Sequence, residues 1–368
     1  MLRPEPPSPR TPKLATALDL RRNAFAFLRL ALALVVIAGH SWEVGGYGRD
    51  PLHSLAGVTL GALAVHCFFV VGGFLVAGSF ENSRSVRGYF IKRALRILPG
   101  FWACLAVTTL VFVPLGLALS PVASASATDT LAYAARNAAV RILQPGIGTL
   151  FADNPAAGVV NGSLWSLFPE LLCYAGLGFF GTLGLLRAGR RRVLLGITLG
   201  AAVLFATSPW LLARCAGFYW VTKLWYLLQL AALFAFFIAG ACLWVFRTAL
   251  PFGPSIRRGA LGAAVLMLAA GAYPFVGPVL LPFAVLALAV SLPWTACDRF
   301  GDFSYGLYLY HYPVQQLFIA AHLRPSSPLL FFVQTVAATL PLAWLSWRWV
   351  EFPAIRLKRN SPEKPASA

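Results

Sequence analysis

Arg29 and His40 stand inside one apolar run, Asn23 to Glu43, NAFAFLRLALALVVIAGHSWE. An intramembrane charge costs at least ~2.5 kcal/mol, so it usually faces a protein interior or a wet cavity and marks function. The two residues are eleven apart. At about 100° per residue they share one helix face, roughly 16 Å apart along the axis. A cation at one end of a cavity and an imidazole at the other suit a long anionic ligand whose reactive end meets a base. The plain alternative is an arginine paired with a carboxylate and a histidine bonded to a carbonyl.

Other polar groups interrupt the chain at spacings that could serve the same ligand. Arg93 and Arg96 are expected at the cytoplasmic start of the third span, three apart on one helix face. Their guanidinium groups can grip phosphate bidentately, whether of a nucleotide or of a lipid. Glu170 follows Pro169, a good helix start in itself and a carboxylate at the depth where His40 is expected. Ser304, Tyr308 and His311 form one stripe at spacings of four and three. Such a stripe binds a polar ligand or joins helices, and His311 is a second candidate acid or base. Glu43, one turn after His40, either orients its ring or lies at the helix end in water.

The elements that must position these groups are membrane helices. The 368-residue chain is 59% hydrophobic and only 11% charged, too few charges to cover a soluble surface of that size. Its mean hydropathy of +0.73 reads as an all-α, polytopic helical bundle. Apolar runs predict ten spans, roughly 24–43, 58–80, 98–119, 167–186, 193–212, 223–246, 259–274, 277–295, 303–322 and 329–350. The seventh and eighth share one run, broken by a turn expected between Tyr273-Pro274 and Gly277-Pro278. The first run is long, lacks a small-residue cleavage site and reads as a retained span.

The net charge of +18 does not point to nucleic acid, because the basic residues gather in alternate loops. With the N-terminus in the cytoplasm, 23 basic residues fall inside and 6 outside, which fits both termini cytoplasmic. Residues 1–22, Pro-rich and basic, are expected to be a disordered cytoplasmic tail, 23–353 the membrane domain and 354–368 a second tail. The longest connection, 120–166, lies outside and reads as a lid or a packed loop. The six cysteines form no CxxC pair and read as packing residues, with no metal site.

Taken in order, the polar clusters resemble membrane acyltransferase family 3, integral-membrane enzymes that O-acylate bacterial surface glycans. Arg29 and His40 match the family's LR…H run, and Phe68 to Leu75 its FFVxSGFL signature. Lys92 to Pro99 match RRxxRIxP, Ser163 to Glu170 match SLWxLxxE, and Ser304 to Pro313 match SYxxYLxHxP. The chain departs from the pattern at Gly72, where Ser is usual, so no hydroxyl there can be essential. It departs also at His66 and Ala26, where contacts to the acceptor are expected to change.

The resemblance implies transfer of an acyl group, acetyl first, from cytoplasmic acyl-CoA to a hydroxyl of a surface or exported glycan. The setting it implies is a bacterial inner membrane. His40 is then the expected base, since an attacking hydroxyl must lose its proton. Glu170 would orient the imidazole or bind the acceptor. Arg29, Arg93 and Arg96 would bind the donor, and Ser304, Tyr308 and His311 the substrate. The competing class is a transporter or flippase for a glycan or lipid-linked intermediate, which ten helices with buried charge would also suit. No inverted repeat supports it.

Overall fold

The computed structural model describes residues 11–19, 23–120, 122–218 and 220–357. Among the described residues, ten helices carry the fold. They are α1 Phe25–Glu43, α2 Leu60–Glu81, α3 Val86–Leu119, α4 Gly162–Thr182, α5 Arg191–Cys215, α6 Val221–Phe246, α7 Pro254–Ala269, α8 Tyr273–Ser291, α9 Ser304–Ala320 and α10 Pro328–Leu357. Eight are long and apolar enough to cross a membrane. The other two, α7 and α9, have 16 and 17 residues. No strand occurs among the described residues. The protein is a polytopic helical membrane protein.

Helix α9 is the axis of the bundle. Nearly all of its residues are buried, polar and apolar alike, and it packs against α1, α3, α10 and the start of α4. A helix covered all round belongs at the centre. At the other extreme, only Leu194 and Ala202 of α5 are buried. Leu199, Val203 and Trp210 stay exposed there, as apolar side chains facing lipid would. Helices α2 and α6 meet backbone to backbone. A Cβ on Gly73 would overlap the Phe237 carbonyl, and one on Gly240 the Val70 carbonyl. Small residues at such a crossing permit close van der Waals packing where lipid supplies no hydrophobic drive.

Two boundaries near the polar groups and prolines differ from expectation. The third helix begins at Val86, not near residue 98, because Ser85 caps the Gly88 N–H and the basic stretch continues the helix. Arg93 and Arg96 therefore lie within α3, not at its start. The break between α7 and α8 falls at Gly271, in the left-handed region with φ +63°. Pro274 sits in the first turn of α8, while Pro278 and Pro282 lie inside it. Proline fits a helix start because its missing N–H has no partner there; membrane helices also tolerate it internally.

Much of the expected N-terminal tail, 1–10 and 20–22, lies outside the described residues, as do 358–368. Residues 11–19 are held rather than loose. Leu14 is buried, its N–H donates to the Leu250 carbonyl at 2.9 Å, and Phe252 N–H donates to the Pro12 carbonyl at 2.7 Å. Two buried leucines, Leu14 and Leu18, and these backbone bonds oppose the chain entropy that favours a free tail.

The 120–166 segment is a packed structure. It contains a helix, Ala127–Asn137, with a Ser126–Asp129 capping box. Asn137 closes the next turn, accepting from Leu143 N–H at 2.9 Å and donating to the Gln144 carbonyl at 2.8 Å. Asn154 donates to Gln316 Oε1 at 2.8 Å, and Gln316 donates to the Val159 carbonyl at 2.6 Å. The segment is thus tied to α9.

Candidate active site

Pro313 lies inside α9. Having no N–H, it leaves the Leu309 carbonyl one turn earlier without its helical donor. Asn161 fills that role, its Nδ2 donating to Leu309 O at 2.8 Å, and Cys104 Sγ lies 3.4 Å from the same oxygen. Asn161 Oδ1 accepts the Ser163 N–H at 3.2 Å. One asparagine therefore repairs the broken helix and fixes the turn that carries Ser163. Ser163 Oγ then lies 3.2 Å from His311 Nε2.

His40 and His311 meet across 271 residues of chain, Nδ1 of the first 2.7 Å from Nε2 of the second. Their rings stack with centroids 5.1 Å apart, and Tyr312 stands edge-on to His40. His311 is fully buried, and its Nδ1 lies 3.0 Å from the Leu307 carbonyl. A carbonyl only accepts, so that nitrogen carries the proton. In a neutral ring Nε2 is then the acceptor, and His40 Nδ1 must donate to it. The proton of neutral His40 is thereby placed on Nδ1, which leaves a lone pair on Nε2.

Below this pair, toward the basic end of the bundle, lies a cavity of about 530 Å³. Arg29, Lys92, Arg93, Arg96, Glu170, Asp302, Ser304 and Tyr308 are in its wall, as are Ala26 and Gly72. His40 and His311 are not. The link is Tyr308, which lines the cavity, donates to or accepts from Ser166 Oγ at 2.5 Å, and lies with its ring centroid 6.2 Å from that of His311.

The charges in the cavity are partly paired. Asp302 Oδ2 lies 2.6 Å from Arg96 Nη2 and 3.1 Å from Arg29 Nη2, while the Ser304 hydroxyl donates to Asp302 Oδ1. Burial alone would push the Asp302 carboxyl up, but Arg96 and Arg29 outweigh it and hold the group well below the usual carboxylate range. Arg93 Nη2 lies 3.2 Å from Ser79 Oγ, and its guanidinium sits 5.7 Å over the Tyr174 ring. The Nε atoms of Arg29 and Arg93 are buried and have no partner among the described residues.

The sequence expectations fare unevenly against this geometry. Arg29, Arg93, Arg96, Glu170, Ser304 and Tyr308 share the cavity, and His40 and His311 form the pair above it. Arg29 and His40 do not face one another across a common wall. Glu170 accepts a hydrogen bond from Tyr174 in the cavity, while the ring partner of His40 is His311. Glu43 is exposed. His66 is a buried core residue, 2.5 Å from Tyr273 Oη and stacked on Phe236. It is not in the cavity wall, because aromatic rings of α6 and α8 enclose it. Sequence reasoning missed Asp302 and Ser163. An acid two residues before the Ser304-Tyr305 motif was the signal for the first, and Ser163 stood unassigned in a quoted motif.

Residues 22–348 match the acyltransferase domain family, and the chain belongs to it. The fold and this match define a membrane acyltransferase, which displaces the transporter reading. Two relatives cover nearly the whole chain. One is Nodulation protein 10 of Rhizobium leguminosarum bv. viciae, 29% identical over 369 residues, 92% of this chain and 95% of that protein. The other is the O-acetyl transferase of Shigella phage Sf6, 26% identical over 378 residues, 93% of this chain and 98% of that protein. No solved structure matches.

Proposed function

We propose that this enzyme is an O-acetyltransferase of a bacterial inner membrane, moving acetyl from cytoplasmic acetyl-CoA to a hydroxyl of a surface or exported glycan. The observation that carries the reading is the ordered proton chain, His40 Nδ1 to His311 Nε2 with His311 Nδ1 on the Leu307 carbonyl. It leaves His40 Nε2 as the base.

The donor's phosphates are assigned to the basic cavity, where Arg29 and Arg93 carry buried donors without partners. Guanidinium groups suit phosphate oxygens. The asymmetry of basic residues between alternate loops supports a cytoplasmic opening. The thioester arm would run along Tyr308 toward the histidine pair.

In the reaction, the acceptor hydroxyl gives its proton to His40 Nε2 as its oxygen attacks the thioester carbonyl. The tetrahedral intermediate collapses, the carbon–sulfur bond breaks, and the imidazolium returns the proton to the leaving thiolate. His311 keeps the imidazole in the working tautomer and accepts from its Nδ1–H throughout. A positioned base of this kind contributes about 10² to 10⁴-fold. Ser304 is assigned to hold Asp302, and Tyr308 to bind the substrate arm. Glu170, bonded to Tyr174, is assigned to the donor cavity, not to His40.

The test is acetyl transfer by the purified protein in a bilayer. Radiolabelled acetyl-CoA is supplied, and cellular glycans are compared by mass spectrometry with and without the gene. Acetyl-CoA hydrolysis or transfer together with lost acetyl increments supports the reading. A protein that binds no CoA and leaves glycans unchanged sinks it.

A further inference from the structure

Of the two carboxylates in the cavity wall, Glu170 and Asp302, Asp302 is the one in contact with two of its arginines. It lies in the short link between α8 and α9, outside both helices. Its Oδ2 takes both Arg96 Nη2 at 2.6 Å and Arg29 Nη2 at 3.1 Å. Its other oxygen is held by the Ser304 hydroxyl in the first turn of α9. The carboxylate is therefore fixed from both sides, with two of the cavity's guanidinium groups directed onto it. Their positions suit a phosphate: two cations converge on one carboxylate oxygen, Oδ2, the place a phosphate oxygen would take.

We infer that Asp302 is a built-in counter-ion that the donor's phosphate must outcompete, so that it sets donor affinity and restricts the site to multiply charged anions. The inference rests on the reading of this cavity as the acyl-CoA site. Two effects act in the same direction. In the free enzyme, Asp302 neutralises two partly buried guanidinium groups and stabilises them. In the complex, its charge lies close to the incoming phosphate and repels it. Removing the charge costs the free enzyme a partner and relieves the complex of a repulsion. Both changes favour binding. A singly charged ligand gains little by displacing a fixed carboxylate, whereas a pyrophosphate brings enough charge to share or take the arginines. The carboxylate stays ionised while it faces them, held far below the usual range, so the competition persists across the physiological pH range.

The test compares CoA binding by full-length wild type and Asp302→Asn in nanodiscs, with inorganic pyrophosphate and inorganic phosphate as competitors. Asparagine keeps the shape and loses the charge. The expected result is CoA affinity tighter by roughly tenfold or more, the scale of one close like-charge repulsion near a protein surface. Inorganic phosphate, a poor competitor against wild type, should become effective. Equal or weaker CoA binding by folded Asp302→Asn overturns the inference and makes the carboxylate a positioning group for the arginines.

A charge-conserving pair guards against misfolding. Arg29→Gln alone should weaken CoA binding, and Arg29→Gln combined with Asp302→Asn should restore it to wild type or better. A double variant as weak as Arg29→Gln alone also overturns the inference. Wild type that binds no CoA at all is a different failure, that of the acyl-CoA reading itself.

Discussion

His40 and His311 are joined ring to ring, Nδ1 to Nε2 at 2.7 Å, and the direction of that bond is set by a backbone carbonyl. Because Leu307 O can only accept from His311 Nδ1, the proton between the rings belongs to His40. The two chain segments meet a second time at Arg29 and Asp302. Helix α1 and the α9 segment are thus clipped at two points. One clip is neutral and ordered by tautomer, the other is ionic. Chemistry that needs a base suits the first, and recognition of an anion suits the second.

His40→Ala is expected to lower turnover by about 10² to 10⁴-fold, the usual contribution of a positioned base. CoA affinity should stay within a few-fold of wild type, because His40 is not in the cavity wall. Acetyl transfer and CoA binding measured on the same folded preparation check this. Near-normal turnover removes His40 from the mechanism.

Arg93→Ala and Arg96→Ala are expected to raise the apparent KM for acetyl-CoA. A hydrogen bond to a charged group is worth roughly 1.5–3 kcal/mol, which corresponds to about ten-fold or more in each case. The two should differ in stability. Arg96→Ala leaves Asp302 with only Arg29 as a guanidinium partner, whereas Arg93 bonds a neutral serine and covers Tyr174. Thermal unfolding without ligand should therefore drop further for Arg96→Ala. Unchanged KM values in both would make these arginines anchors for lipid phosphate.

The spans, their approximate ends and most of the polar wall were legible because each rests on local pattern. An apolar run announces a helix, and a charge inside one announces a cavity. Partners were not legible. Nothing near His40 in the chain indicates that His311 will stack on it. Asp302 sits in a short link outside the apolar runs, where an acid reads as solvated. The turn at Gly271 was missed because the neighbouring prolines looked like breaks, although proline starts a helix as readily as it ends one. Arg93 and Arg96 looked like a helix start because hydropathy falls there, whereas the backbone continues from the Ser85 cap. The plain alternative for Arg29, a carboxylate partner, was open from the sequence, but the identity of that carboxylate was not.

Asn161→Ala is expected to destabilise the protein by about 1–3 kcal/mol, the cost of a buried polar group left unpaired. It removes the donor to Leu309 O and the acceptor for Ser163 N–H, leaving only the weak Cys104 thiol on that carbonyl. Pro313→Ala in the same background restores a helical N–H one turn after Leu309. It should recover part of the loss in thermal unfolding. Activity should not recover in parallel, because the Ser163 turn remains unfixed. Full recovery of both would mean that Asn161 serves the helix alone.

The last prediction concerns how His40 and His311 act together. If His311 works by holding the tautomer of His40, it has nothing to hold once His40 is gone. His311→Ala alone should cut turnover by a factor of about ten or more, smaller than the loss for His40→Ala, since a general base is worth at most about 10⁴-fold. The double variant should then be no slower than His40→Ala alone, because groups that act as a unit are strongly non-additive. CoA affinity should hold in all three, which separates this from a collapsed bundle. A further sign is the pH profile. Without His311, both tautomers of His40 become populated and the ring loses its acceptor, so the midpoint of the acidic limb of kcat/KM should move. His40→Ala should lose that limb altogether. Turnover losses that multiply in the double variant would show that His311 acts independently, as a second acid or base, and would end the assignment of His311 as a positioning residue.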